Sequence, residues 1–335
     1  MSASLITRLG PVELPNPVLT ASGCGGTGRD LAQFTDLSRL GGFITPSVLP
    51  QPRAGRPTPR MAETPGGMVS ALGLPGPGID TFLRRDLPFL AEQGARTIVS
   101  VGGNSVADYA EVARRLRDET AVCAVEVNVA CPNAEDRGLV FALRPSAAAD
   151  VVRAVRTHIR PGVPVFAKLS PDVSDLVTIA LACADAGADG LSLINTVLGM
   201  AIDTTTLRPA LSGVSGGLSG PAIRPIAVRS VYQVHAALPQ LPIIGVGGIA
   251  TGLDALEFIL AGASAVAVGT TLFHDPSAAA RIVRELEEAL TARGIGRLAD
   301  AVGLAHRPQG FVPPQVHALS KTEPNHEPKT EERAQ

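Results

Sequence analysis

The sequence has almost no net charge: 29 Lys+Arg stand against 31 Asp+Glu over 335 residues, a formal balance of -2. Without a basic excess there is no bulk electrostatic pull toward nucleic acid or anionic membrane, so neither is an expected partner. No uninterrupted apolar run approaches the roughly 20 residues of a membrane helix. The first residues, MSASLITRLGPVELPNP, also lack a basic segment followed by an apolar one. A cytoplasmic protein is expected. Cysteine is scarce: Cys24, Cys123, Cys131 and Cys183 show no C-x-x-C spacing and fall far below the density of a disulfide scaffold. That fits a reducing compartment and leaves no metal site expected. Lysine is scarcer still, at Lys168, Lys321 and Lys329 only, with Arg supplying the remaining positive charge. Two of these lie in a polar tail, so one lysine serves the whole folded body. Lysine is a compact charge whose protonation can be tuned, unlike arginine, which singles out position 168 against the plainer reading of an Arg-biased composition.

What is present reads as a compact α/β protein: 45% hydrophobic and 18% charged residues, enough for one large domain or two smaller ones. Short β-rich apolar runs occur at 17–21, 42–47, 97–102, 122–128, 163–169, 190–195, 242–246 and 263–269. Helical periodicity marks 29–40, 105–117, 146–159, 174–186, 222–238, 252–260 and 276–292, the last opened by Pro276 in a first-turn position. Strands alternating with helices predict parallel βαβ units, and eight of them predict a closed (β/α)₈ barrel as one domain over residues 1–305. The proline-bearing residues 306–335 read as a disordered tail. Two segments exceed ordinary connections: 51–78, rich in Pro and Gly, and 198–220. Long loops of this kind serve as lids or binding loops.

In such a barrel the active site lies at the carboxyl ends of the strands, and reactive residues fall there from at least six of them. GVGGI at 245–249 and AVGTT at 267–271 place bare backbone N–H groups where helices begin, a phosphate-binding arrangement, although glycines also serve tight βα turns. Cys131, in EVNVACPN, sits in a strand-end loop flanked by polar residues, where a solvent-facing thiol serves as base or nucleophile; the alternative is a buried cysteine acting as a small hydrophobe. Lys168, in VFAKLSP, ends an apolar strand and points at the mouth as a cation for developing negative charge, a Schiff-base nucleophile or a phosphate ligand. The amides of Asn133 and Asn195 both donate and accept, which suits a ring with alternating C=O and N–H groups, and either could instead cap a loop.

These residues resemble the class I dihydroorotate dehydrogenases. The similarity spans about residues 14–303 and rests on NPVLTASGC (16–24), PTPRMAETPGGM (57–68), EVNVACPN (126–133), KLSPDV (168–173), INTVLGM (194–200), GGLSGPAIRP (216–225) and GVGGIATGLDALEFILAGASAVAVGT (245–270). It is greatest to the branch whose catalytic subunit works with an iron-sulfur flavoprotein. The resemblance implies FMN, contacted by Ala21, Ser22, Ser47, Asn128, Lys168, Gly220, Gly247, Gly248, Gly269 and Thr270. It casts Cys131 as the base that removes a proton from substrate C5 while hydride leaves C6, and Lys168 as the cation beside the reduced ring. Ser70, Asn128, Asn133, Asn195 and Thr196 would hold the substrate, and the protein would form a homodimer.

The chain departs from the family pattern where substrate is held. Pro46 stands in place of a lysine, Ser70 and Gly76 in place of asparagines, and Ala130 in place of a serine. The expected activity is therefore FMN-dependent oxidation of a C–C bond beside a carbonyl in a small cyclic substrate, with (S)-dihydroorotate to orotate the best named candidate. A relative redirected to another ring, a Schiff-base lyase using Lys168, and a binding subunit that has lost turnover are the alternatives.

Overall fold

The computed structural model describes residues 2–131 and 140–308. The eight expected strands are all present, with ends trimmed by a few residues: β1 (Val18–Thr20), β2 (Gly42–Ile44), β3 (Thr97–Val101), β4 (Val122–Asn128), β5 (Val165–Leu169), β6 (Gly190–Leu193), β7 (Ile243–Val246) and β8 (Ala265–Val268). Each pairs in parallel with the next, and β8 pairs with β1 to close the barrel. Strands covered on both faces need no polar side, which is why they read as unbroken apolar runs. Their alternation separates two cores. Leu19, Ile44, Ile98, Ala124, Phe166, Ile244 and Ala265 fill the barrel interior. Val18, Phe43, Val99 and Val125 face the surrounding helices instead. An antiparallel hairpin, Thr7–Leu9 with Val12–Leu14, plugs the amino-terminal mouth by adding Leu9 and Leu14 to the interior cluster.

Helices Val106–Leu116, Pro145–His158, Leu176–Asp185, Arg224–Ala237, Gly252–Ala261 and Ala278–Ala292 wrap the barrel. Two of them start in capping boxes, Ser105 with Asp108 and Thr251 with Asp254, which satisfy the otherwise free N–H groups of the first turn. The segment 29–40 is not the expected α-helix but two 3₁₀ turns, Leu31–Gln33 and Leu37–Arg39. Asp36 adopts an extended conformation between them, and its carboxylate accepts from Ser38 N at 3.0 Å and Ser38 Oγ at 2.6 Å, a local alternative to the helical ladder. Pro276 lies just outside its helix, which begins at Ala278. A helical stretch that periodicity did not reveal, Ile79–Thr81 continuing through Phe82–Asp86 to Leu87–Glu92, precedes β3.

The two long insertions come together. Met61–Thr64, Gly67–Ser70, Gly216–Ser219 and Val197–Gly199 build a four-stranded antiparallel sheet beside the carboxyl mouth. At the other end of the chain the body extends one step further than expected. His306 stacks on Tyr232 with ring centroids 3.9 Å apart and shares a 3.0 Å hydrogen bond with Ala261 O. The rest of the expected tail, from residue 309, lies outside the described residues.

Candidate active site

The period of two that fills the barrel with apolar side chains changes chemistry near the strands' carboxyl ends. On β4 the inward series runs Ala124, Glu126, Asn128, and on β5 it runs Phe166, Lys168. Ser100, Glu126, Lys168 and Ser192 form a buried polar layer just beneath the mouth. Above it the hydroxyls of Ser47 and Ser100 lie 3.1 Å apart, and Asn128 Nδ2 donates to Ser47 Oγ at 3.0 Å. Asn195 Nδ2 donates to Asn128 Oδ1 at 3.3 Å, and Thr196 N donates to Asn195 Oδ1 at 2.8 Å. This chain of hydrogen bonds fixes how each amide points. Lys168 Nζ lies 3.5 Å from Glu126 Oε2, and both side chains are almost wholly removed from solvent.

Two adjoining cavities open over this layer. The smaller, about 160 Å³, is lined by Ala21, Lys168, Gly220, Gly247, Gly248, Gly269 and Thr270. The larger, about 890 Å³, is lined by Ser47, Asn128, Cys131 and Lys168 together with the loop residues Pro46 and Gly76. Ser22, Ser70, Lys168, Asn195 and Thr196 border both. The barrel thus brings together every expected site residue except Asn133, which lies outside the described residues.

The small end is shaped by backbone. Gly248 has φ +72°, and a Cβ there would stand 2.8 Å from Gly220 O and 2.8 Å from Arg224 Cβ; Gly220 itself has φ +98°. Only glycine allows this close turn. The Thr270 hydroxyl donates to Ser219 Oγ at 2.8 Å across the cavity. A narrow glycine-walled end for a phosphate, continuous with a wider chamber floored by one buried lysine, fits FMN. Lys168 and the two amides would hold the ring, and the glycine turns would hold the phosphate.

Cys131 lines the chamber but is not solvent-facing as its polar neighbours suggest: it is 1% exposed. It is packed against Gly102, whose Cβ would lie 3.2 Å from Sγ, and its carbonyl accepts from Phe141 N. Burial pushes the thiol pKa up, while the Tyr109 hydroxyl, the Gly103 N–H and the Arg53 charge pull it back. The other cysteines have no such setting. Cys123 and Cys183 are pushed up to about 12 by burial. Cys24, beside the small cavity, is pushed up to about 11 by burial, with the Lys168 charge opposing.

Three residues at the site were not singled out from the sequence. Tyr109 is fully buried, donates to Asn128 O at 2.6 Å and packs edge-on against Phe141. In the sequence it is one more helix-core residue, although the chain has only two tyrosines. Glu126 is a lone carboxylate inside an apolar strand, and its two-residue spacing from Asn128 was the available signal. Arg53 lines the chamber and is pinned opposite Gly76 by reciprocal 2.9 Å backbone hydrogen bonds.

Comparison with known proteins agrees with this architecture. The sequence profile of the dihydroorotate dehydrogenase family matches residues 4–290. The catalytic subunit of dihydroorotate dehydrogenase B (NAD(+)) from Pelobacter propionicus is 49% identical over 303 residues, covering 90% of this chain and 99% of the relative. The corresponding subunit from Desulforudis audaxviator is 50% identical over 310 residues, covering 92% of this chain and 100% of the relative. Among solved structures, the Eimeria tenella DHODH crystallised with ferulenol superposes with a TM-score of 0.75 at 25% identity, covering 91% of this chain and 89% of the other. With a profile match over most of its length and relatives at half identity across nearly their whole length, the chain belongs to the dihydroorotate dehydrogenase family.

Proposed function

We propose that this chain is the catalytic subunit that oxidises (S)-dihydroorotate to orotate, using FMN held in the barrel formed by residues 1–305. The observation that carries the reading is the juxtaposition in one cavity system of a glycine-walled phosphate end, the buried Lys168 and the Cys131 thiol. Enzymes of this family are FMN-dependent oxidoreductases acting on a CH–CH bond, and the bound flavin supplies the hydride acceptor. The protein's own contribution is positional and electrostatic. Asn128 and Asn195, locked by their mutual hydrogen bond, present amide edges to the pyrimidine. Cys131 takes the C5 proton from a site closed to bulk water. Lys168 places positive charge where the ring gains negative charge. Family membership favours this over the lyase reading, and Lys168 Nζ is held 3.5 Å from the Glu126 carboxylate.

Anaerobic addition of dihydroorotate to the FMN-loaded protein is the test: the visible flavin absorbance should bleach, and an unchanged spectrum would overturn the assignment. One observation favours a second reading. Pro46, Ser70 and Gly76 border the cavities where the family pattern has a lysine and two asparagines, so the site offers less to a carboxylate. A neutral ring such as dihydrouracil, bleaching the flavin faster than dihydroorotate, would favour that reading.

The relatives' names speak of a catalytic subunit of an NAD(+)-linked enzyme. We accordingly place an iron-sulfur flavoprotein downstream as electron carrier. A second copy of this chain completes the assembly; Ile202, Leu207 and Val214, exposed apolar residues of the 198–220 insertion, are candidates for that contact. Among the described residues no helix is long and apolar enough to cross a membrane.

A further inference from the structure

Glu126 sits in an uncomfortable place. It is 0% exposed, and neither carboxylate oxygen accepts a hydrogen bond from any of the described residues. Buried carboxylates are normally held by several donors, and leaving one without them is costly unless an opposite charge is close. The neighbours that could have satisfied it do not. The Ser192 hydroxyl, in the same buried layer, also has no partner among the described residues, and the Ser100 hydroxyl is turned to Ser47. Among the described residues the one compensating group is the Lys168 ammonium, 3.5 Å away and 7% exposed. An apolar side chain could fill this position on β4 as Ala124 does one step below. A charge retained there without hydrogen bonds acts through the charge it faces.

We propose that Glu126 is a positioning residue and counter-ion for Lys168, and that it sets how much of the lysine's positive charge the flavin experiences. The inference rests on the reading that FMN lies over Lys168. The pair is neutral as a unit. Negative charge gained by the ring on reduction is then stabilised by the near end of a dipole, not by an uncompensated cation. The flavin is held at a lower potential than a lone lysine would give it. A lower potential suits an enzyme whose electrons must pass onward to an NAD(+)-linked acceptor, because a cation that binds the reduced ring too well retains the electrons it should release.

The test replaces the charge and keeps the shape: Glu126→Gln in the FMN-loaded protein, titrated with sodium sulfite under visible absorbance, with the flavin midpoint potential measured alongside. Sulfite addition places negative charge on the ring, so its affinity reads the local positive potential. The variant should bind sulfite at least tenfold more tightly and show a potential raised by at least the equivalent, about 30 mV for a two-electron couple. A sulfite dissociation constant and a potential within twofold of wild type, with stoichiometric FMN bound, overturn the proposal.

A second arm needs no flavin. In the apoprotein, Lys168→Gln leaves the carboxylate unpaired, whereas Lys168→Gln with Glu126→Gln leaves two neutral amides. The double variant should therefore melt at a higher temperature than the single one, and a double variant no more stable than the single refutes the pairing. A wild-type protein that takes up no FMN while passing this second arm would overturn the flavin reading and leave the ion pair standing.

Discussion

Replacing Tyr109 with phenylalanine removes one oxygen from beneath the base and should move the enzyme's pH dependence. The hydroxyl has a single proton, donated to Asn128 O at 2.6 Å, and it also lies in hydrogen-bond reach of the Cys131 thiol. Burial pushes the tyrosine's own pKa well above its ordinary value, so the proton stays on the phenol when the thiol ionises. Ionisation of Cys131 therefore draws that proton toward sulfur. It exchanges a neutral hydrogen bond worth about 1 kcal/mol for a charge-assisted one worth about 1.5–3 kcal/mol. The net preference for thiolate is about 0.5–2 kcal/mol, or roughly 0.4–1.5 pKa units at 1.36 kcal/mol per unit. The sign follows from the role: the base works as thiolate, so activity rises as pH climbs through the Cys131 pKa, which burial already places above the ordinary thiol value. Tyr109→Phe raises it further. In anaerobic stopped-flow reduction by dihydroorotate, the rising limb of the rate should shift alkaline by about that amount, with the high-pH plateau retained. A limb that stays in place while the plateau falls would mean that Tyr109 only supports the fold, and the reasoning would fail.

The other predictions concern the two ends of the cavity system. Gly248→Ala forces a side chain into a left-handed turn, at about 1–2 kcal/mol before the 2.8 Å contacts with Gly220 O and Arg224 Cβ are counted. The purified variant should carry markedly less FMN and melt at about 2–4 °C lower for each kcal/mol lost; full flavin occupancy would argue against a phosphate at this turn. Pro46→Lys with Ser70→Asn restores a cation and an amide, and a charge-assisted contact of about 1.5–3 kcal/mol should lower KM for dihydroorotate roughly tenfold or more. No change in KM would place the carboxylate elsewhere. Arg53→Gln removes a charge that favours the Cys131 thiolate, so the pH limb should again move alkaline. At this half-exposed position the effect should be modest, at about 0.2–1 kcal/mol.

Much of the barrel is legible in the sequence because each strand is buried on both faces. TIVSV at Thr97–Val101 and VFAKL at Val165–Leu169 are apolar runs that no surface element needs. The phosphate end is legible for a related reason: GVGGI follows such a run, and a helix with a capping box follows the glycines. The antiparallel sheet at the mouth is not legible. Its central pairing joins Gly67–Ser70 to Gly216–Ser219, segments distant in sequence and too short and glycine-rich to carry a strand pattern of their own. The segment 29–40 misleads because its apolar spacing satisfies a helix while Asp36 spends its carboxylate on Ser38. Cys131 misleads in the opposite sense: polar neighbours in sequence point to solvent, whereas Tyr109, brought in from another element, reaches the buried thiol and Phe141 N binds its carbonyl.

The parts that act on the flavin and the parts that act on the substrate carry different folding costs, and this separates what can vary from what cannot. Glu126, Lys168, Ser47 and Ser100 are buried, and among the described residues their side-chain hydrogen bonds and ion pair join them to one another and to Asn128. Changing one of them leaves a buried polar group without its partner, at about 1–3 kcal/mol, and more for a charge. Pro46, Ser70 and Gly76 are half-buried at the rim, where solvent or substrate can satisfy whatever a new side chain offers. All four departures from the family pattern, Ala130 included, are half-buried and line the larger cavity, and the polar layer beneath is intact. Substitutions at 46 and 70 should therefore change KM with melting temperatures within a degree or two of wild type, whereas Ser100→Ala or Lys168→Gln should lower the melting temperature of even the flavin-free protein. Calorimetry on both sets decides the matter: rim variants that melt as low as the interior ones would show that the loops are tied into the folding core, and the altered rim could not then be read as freedom in substrate choice.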